Sequence, residues 1–196
     1  MSVTDAIAAA AATMAVATGA VLAVHQSAKH RFSKTPQHCI TLLEGLGVEG
    51  DAHCGRTVQH RYDMKKEPLR PNLRQVHLLQ MELLDDVNDQ GFQVFPGNLG
   101  ENISTRGIDL PGLPVGTCLR IGTDAIVEVT GLRTPCVYIE RFRPGLLVLM
   151  NKTLPDGSVA SRAGVMGIVR CGGVIYPNDA IAVQLPDGEH RALQPV

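Results

Sequence analysis

The run Ala125 to Val129 sets Val127 and Val129 on either side of Glu128, an apolar alternation with the period of a half-buried strand. Leu119 to Ile121 precedes it, and Gly122-Thr123-Asp124 between the two is hairpin turn chemistry. Further strands are predicted over Gly19 to His25, Cys39 to Leu43, Val76 to Leu79, Val165 to Cys171 and Ala180 to Leu185. The stretch Pro96 to Thr105 reads as a turn running into another.

Helical periodicity is scarce. Met81 to Asn88 repeats its apolar residues every 3.6 positions and is closed by Gly91. Pro144 to Met150 predicts a short helix. Ala6 to about Thr18 predicts a third, with Thr4 or Asp5 as N-cap and Gly19 as its stop. Many short strands, frequent Gly and Pro turns and few helices predict a mainly β chain, a barrel or a sandwich. No repeat, linker or internal boundary interrupts it. One domain over 20–196 is expected, behind an Ala-rich extension over 1–19.

Composition narrows the functions. With 44% hydrophobic residues a packed core is expected, and a formal net charge of −1 argues against a dedicated nucleic-acid binder. Aromatics are 4% of the chain and Trp is absent, which removes stacking platforms for single strands. The five cysteines are odd in number and form no CxxC pair, so reduced thiols in a cytoplasmic protein are expected rather than a disulfide framework or a four-cysteine zinc. Ala6 to Val24 is uncharged and long enough to span a bilayer. Ala and Thr supply little transfer free energy, Asp5 is acidic and Gly19 splits the run, so no membrane segment is expected.

Three places carry candidate chemistry. The first is glycine-rich, Gly45 to Gly55, but lacks the Lys-Ser/Thr ending of a P-loop. Within it Asp51 and His53 would share a face on a strand, lining a pocket or binding metal with Cys54. Equally, Asp51 would cap its own loop. A long basic loop follows, with Arg56, Arg61, Lys65, Lys66, Arg70 and Arg74. The second is Gly100-Glu101-Asn102, where Asn102 either binds a ligand's polar edge or organises a turn. The third is Gly131 to Cys136. Gly131 and Pro135 turn the chain after a strand, leaving Cys136 at a stiff exit beside Arg133, which would stabilise a thiolate. Arg141, Arg143 and Arg162 are further candidate cations. The local residues leave a reactive thiol and a buried structural cysteine both open. A cysteine protease would need His25, His53, His60 or His77 as base, and no local signature supports it.

Taken in order, Gly47-Val48-Glu49-Gly50-Asp51-Ala52-His53-Cys54-Gly55, Pro96-Gly97-Asn98-Leu99-Gly100-Glu101-Asn102-Ile103 and Gly131-Leu132-Arg133-Thr134-Pro135-Cys136 resemble the MOSC domain family in its stand-alone bacterial form. The family is named for the C-terminal domain of molybdenum cofactor sulfurase. The resemblance runs from about Ala20 to Val183. It implies a MOSC-type β-barrel with a few short peripheral helices and a bound molybdenum cofactor, a pterin dithiolene bearing a phosphate. Cys136 takes the place of the family's signature cysteine, either as molybdenum ligand or as persulfide carrier. The expected cofactor-binding residues are Arg133, Asp51, His53, Asn102, Gly100 and Gly50. The implied activity is reduction of N-hydroxylated compounds with electrons from a separate donor protein. The alternative is sulfur carriage or cofactor delivery, fed by a cysteine desulfurase. No partner domain for pyridoxal phosphate is present in the resemblance. Cys54 departs from the family motif and raises a Cys54–Cys136 redox pair.

Overall fold

The computed structural model describes residues 17–153, 157 and 159–196. The strands are β1 (Ala17–Gln26), β2 (Thr35–Gln37), β3 (Ile40–Leu43), β4 (Gly47–Val48), β5 (Val76–Gln80), β6 (Ile103–Arg106), β7 (Cys118–Ile121), β8 (Ala125–Leu132), β9 (Asn151–Thr153), β10 (Val159–Ser161), β11 (Val165–Cys171), β12 (Gly173–Ile175) and β13 (Ala180–Gln184). The helices are α1 (Arg61–Lys66), α2 (Met81–Asp89), α3 (Val137–Phe142) and α4 (Leu146–Leu149).

Seven strands close a barrel in the order β13-β7-β8-β11-β5-β6-β1, and β1 returns to β13 by pairing Ala17–Ala20 with Val183–Ala180. Closure leaves no free edge within the ring. Every pairing in the ring is antiparallel except β5–β6. A parallel pair needs a crossover, and α2 with the loop through Pro96 supplies it. β2 extends the sheet beyond β1, while β12, β3 and β4 form a small second sheet.

Two cores follow from the sequence pattern. β8 buries Ala125, Val127 and Val129 and leaves Ile126, Glu128 and Thr130 half-buried, as a period of two requires. These residues join Val21, Leu78, Ile103, Leu119 and Ile181 inside the barrel. A second cluster packs outside, from Leu83, Leu84 and Val87 of α2, Ile139 of α3 and Leu146 of α4. β5 belongs to both, which is why all five of its residues are buried. Val76 and Leu78 face the barrel core and Leu79 the outer one. His77 shares its strand face with Leu79, outside the barrel.

Several expectations change. The predicted Ala6 helix falls outside the described residues up to Val16, but Ala17 and Thr18 lie in β1, so Gly19 is a strand residue and not a helix stop. A Cβ at Gly19 would sit 2.5 Å from Ile108 Cγ1 and 2.6 Å from the Arg106 carbonyl, so the position demands a bare Cα for close approach. Gly131 likewise does not turn the chain. It lies within β8, where a Cβ would come 2.4 Å from the Gln194 carbonyl. The basic loop 56–74 contains α1, and α3 begins directly after Cys136 where no helix was expected. No helix among the described residues is long and apolar enough to cross a membrane.

Candidate functional site

A cleft of about 650 Å³ lies outside the barrel wall, between β5, the exit of β8, α3 and the 56–74 segment. Its lining includes Cys136, Arg133, His53, Asn102 and Gly100, so the three separated sequence motifs converge on one space.

The Cys136 arm is held from several directions. Leu132 N–H donates to the Gln194 carbonyl at 2.9 Å, and Arg133 N–H to the Gly164 carbonyl at 3.0 Å. The Ser161 hydroxyl donates to the Arg133 carbonyl at 2.8 Å. Cys136 then serves as N-cap residue of α3 in extended conformation, its carbonyl accepting from Ile139 N–H at 3.0 Å, with the thiol side half-buried in the cleft. Arg133 Nη1 is buried and meets no partner among the described residues. Burial pushes the Arg133 guanidinium below its ordinary value, and the nearby Cys136 and Glu101 oppose that shift. An arginine remains a cation through such a shift. The site therefore holds an unspent buried donor next to a thiol.

Asp51 organises the cleft from behind rather than lining it. Its Oδ2 accepts from Lys34 Nζ at 2.7 Å, Ser27 N–H at 3.1 Å and Asn102 Nδ2 at 3.2 Å. Its Oδ1 accepts from His53 N–H at 3.0 Å and contacts His53 Nδ1 at 3.2 Å. Burial alone would raise the Asp51 carboxyl, but the His53 hydrogen bonds and the Lys34 charge outweigh it and hold the group well below the usual carboxylate range. Asp51 thus caps its own turn, and Asp51 and His53 sit in that turn rather than on a strand. His53 has Nδ1 committed to Asp51, which leaves Nε2 for the cleft, and its ring meets His30 edge-on at 5.1 Å between centroids.

Asn102 is a tie, not a free ligand-binding amide. Its Nδ2 donates to Asp51 and to the His25 carbonyl at 3.2 Å, and its Oδ1 accepts from His77 N–H at 3.2 Å. Both amide hydrogens are used, so what it offers the cleft is position. Gly100 lines the cleft with φ +85°, and a Cβ there would come 2.5 Å from the Phe32 carbonyl. Gly50 does not line it. It is exposed, with φ +71°, and serves the turn before Asp51. Cys54 also lies away from the cleft lining, and burial followed by Asp51 and Glu49 raises its thiol pKa. That leaves no support for a Cys54–Cys136 pair. Arg141, Arg143 and Arg162 stay outside the lining as well, Arg162 pairing with Asp86.

Sequence reasoning missed Lys34, Phe32, Tyr138 and Val196 and named His77 only as a protease base; all five line the cleft. Burial, then Arg133, push His77 down to about 3, so it is neutral, with Nε2 against the Ala163 carbonyl at 2.9 Å. Phe32 and Tyr138 stack loosely at 6.4 Å, an aromatic wall two residues from Cys136. The opposite chemistry comes from the 56–74 segment, which contributes Arg61, Arg70 and Arg74. Asp63 is the one acidic side chain in the lining among the described residues, and Arg70 at 3.2 Å and Arg74 at 3.4 Å surround it. The cleft is therefore cationic and partly aromatic, with a thiol inside. No group of three or more His, Cys, Asp or Glu among the described residues is arranged to hold a metal by itself.

Among solved structures, the YuaD protein from Bacillus subtilis superposes with a TM-score of 0.68 over 87% of this chain and 97% of its own, at 22% identity. YiiM from Escherichia coli gives 0.58 over 88% of this chain and 73% of its own, at 19% identity. YiiM from Geobacillus stearothermophilus gives 0.55 over 84% and 74%, at 16% identity. These likenesses establish a shared fold. Among curated proteins none matches. The model of the MOSC domain matches residues 47–182, a span that holds the Asp51 turn, the Asn102 tie and the Arg133–Cys136 arm, and the chain belongs to the MOSC domain family.

Proposed function

We propose that this cleft holds the molybdenum cofactor, with Cys136 as thiolate ligand to the metal, and that the loaded protein reduces N-hydroxylated compounds. The MOSC domain family is associated with molybdenum cofactor binding. The observation that carries the reading is the unpartnered, buried Arg133 Nη1 beside a half-exposed thiol in a cationic cleft. The residues fit the group. A thiolate is the soft donor that molybdenum takes. Arg133 and Arg61 supply planar, permanently charged donors suited to phosphate, and Arg74 stands behind Asp63.

When bound, the metal centre supplies the two-electron redox chemistry. The chain's own residues do the rest. Arg133 sets a buried, permanent cation beside Cys136. Phe32 and Tyr138 supply an aromatic wall to the cleft. His53, held through Nδ1 by Asp51, is placed to take a proton from solvent at Nε2 and relay it to the departing hydroxyl oxygen. Reduction of N–OH to N–H takes two electrons and two protons and releases one water, so a proton route of this kind is required.

The test is elemental analysis of wild-type and Cys136→Ala protein, each expressed in a host overproducing the cofactor. Near-stoichiometric molybdenum in the wild type, lost on substitution together with reduction of an amidoxime, is the expected outcome. Equal molybdenum and equal turnover in both overturn the ligand role. No molybdenum in either, with one added sulfur atom on Cys136 after expression with a cysteine desulfurase, replaces the reading by sulfur carriage.

A further inference from the structure

The mouth of the cleft carries chemistry that a small bound cofactor leaves unused. Tyr62 on α1 and Tyr138 on α3 both line the opening yet remain 59% and 54% exposed. Each ring carries a cation. Lys66 Nζ stands 4.5 Å from the Tyr62 centroid, and the Arg141 guanidinium 5.2 Å from that of Tyr138. Two tyrosine–cation pairs therefore flank one mouth, on two elements far apart in sequence. Leu69, 85% exposed, adds an unpartnered apolar side chain on the same segment as Tyr62.

Charge is segregated in the same place. The 19 residues of 56–74 hold six Lys or Arg and two acids, four net positive charges in a chain whose total is −1. Asp63 occupies Arg70 and Arg74, while Lys65, Lys66 and Arg141 make no ion pair among the described residues. α1 buries none of its residues. A six-residue helix with no buried face gains little from its own hydrogen bonds. Arg61 and Tyr62 line the cleft, but Lys65, Lys66 and Leu69 lie outside its lining, where a ligand inside cannot use them. Exposed aromatics ringed by cations are the composition of an interaction surface.

We propose that this collar docks an acidic protein, one presenting carboxylates around an apolar spot, directly over the entrance to Cys136. Charge complementarity selects the sign of the partner, and Tyr62, Leu69 and Tyr138 supply the apolar contact. A nucleic acid would leave Leu69 unmatched and lacks the stacking partners it needs in a chain with 4% aromatics. The nature of the cargo, electrons or sulfur, rests on the reading of the cleft given above; the docking does not.

The experiment uses the full chain without added cofactor. Binding of two probes, an acidic flavodoxin-type electron carrier and an acidic cysteine desulfurase, is measured against ionic strength for wild type, Lys65→Glu/Lys66→Glu and Arg120→Glu, the last an exposed cation on β7 outside the collar. At least one probe is expected to bind, with affinity falling about tenfold or more in high salt and again on the double charge reversal, and within about twofold of wild type for Arg120→Glu. Which probe binds identifies the cargo. The bound probe is also expected to slow alkylation of Cys136 by iodoacetamide, and Cys136→Ala identifies that signal. Absence of salt-sensitive binding by either probe overturns the proposal. So does equal loss in the two charge variants, or binding that leaves Cys136 equally reactive. Tighter binding to phosphatidylserine vesicles than to either probe overturns it in favour of a membrane surface. A chain that docks a probe but takes up no molybdenum refutes only the cofactor reading.

Discussion

His25 and His77 sit where charging an imidazole is costly. His25 is fully buried with neither ring nitrogen partnered among the described residues. Burial first, then nearby Lys34, lower it to about 4, and burial with Arg133 lowers His77 to about 3. An unfolded histidine titrates near 6.5, so below that pH the unfolded chain binds protons that the fold refuses. Their contribution to stability is therefore complete above about pH 6.5 and is lost as pH falls toward 4. Each histidine contributes up to about 1.4 kcal/mol per pH unit in that window. Buried Glu101, whose carboxyl is pushed up by desolvation, acts in the opposite sense. The difference between wild type and His25→Leu isolates the histidine. Urea midpoints measured at pH 7.5, 6 and 4.5 are expected to fall in wild type and to fall less steeply in His25→Leu. Parallel slopes reject the assignment. The sequence showed Cys136 and Arg133 because their partnership is local, three residues apart. It did not show the Lys34–Asp51 pair or the His77–Ala163 contact, which are made by folding across 17 and 86 positions.

The 56–74 segment is an element held at its base rather than by its own core. Asn72, buried, donates from Nδ2 to the His53 and Gly55 carbonyls, both at 3.0 Å, and accepts from Arg74 N–H at 3.0 Å. Val58 N–H bonds the Arg70 carbonyl at 2.9 Å to close the stem, and Thr130 fixes the far side through the Leu73 carbonyl at 2.7 Å. Asn72→Ala leaves two carbonyls and an amide without partners, a cost of about 1–3 kcal/mol for each that stays dry. Hydrogen exchange is expected to rise through residues 56–74 while β8 and β11 keep their protection. Unchanged exchange in the segment would falsify the view that one side chain anchors it. In the sequence this stretch shows no apolar period, so α1 reads as loop. The reason is physical: a helix with no buried residue carries no stripe for a periodicity to reveal. α3 was hidden differently, because Cys136 provides no side-chain cap at its start.

At the scale of the molecule, the cleft depends on a ring that must close. The wall facing the cleft is β5, β8 and β11, and the seam of the ring lies elsewhere, where β1 meets β13 over four residue pairs. The same strand bonds β6 on its other side, with a shift in register between Val21 and Ala23. Gly19 sits in this seam opposite Ile181, and the Arg106 carbonyl occupies the space a Cβ would need. A side chain such as Ile108 can rotate away from an added methyl, whereas a ladder carbonyl cannot move without breaking its strand. Gly19→Ala is therefore expected to cost about 1–3 kcal/mol, the range of an overpacked interior site. The loss is expected as a lower urea midpoint with unchanged denaturant dependence, because the folded state stays compact. Hydrogen exchange then locates it: amides of Ala17–Ala20 and Ala180–Val183 lose protection first, while those of β8 and β11 beside Cys136 keep theirs. Equal loss around the whole ring means that seam and wall open together, so that closure by β1 and β13 is what holds Cys136 and Arg133 in register with the Asp51 turn.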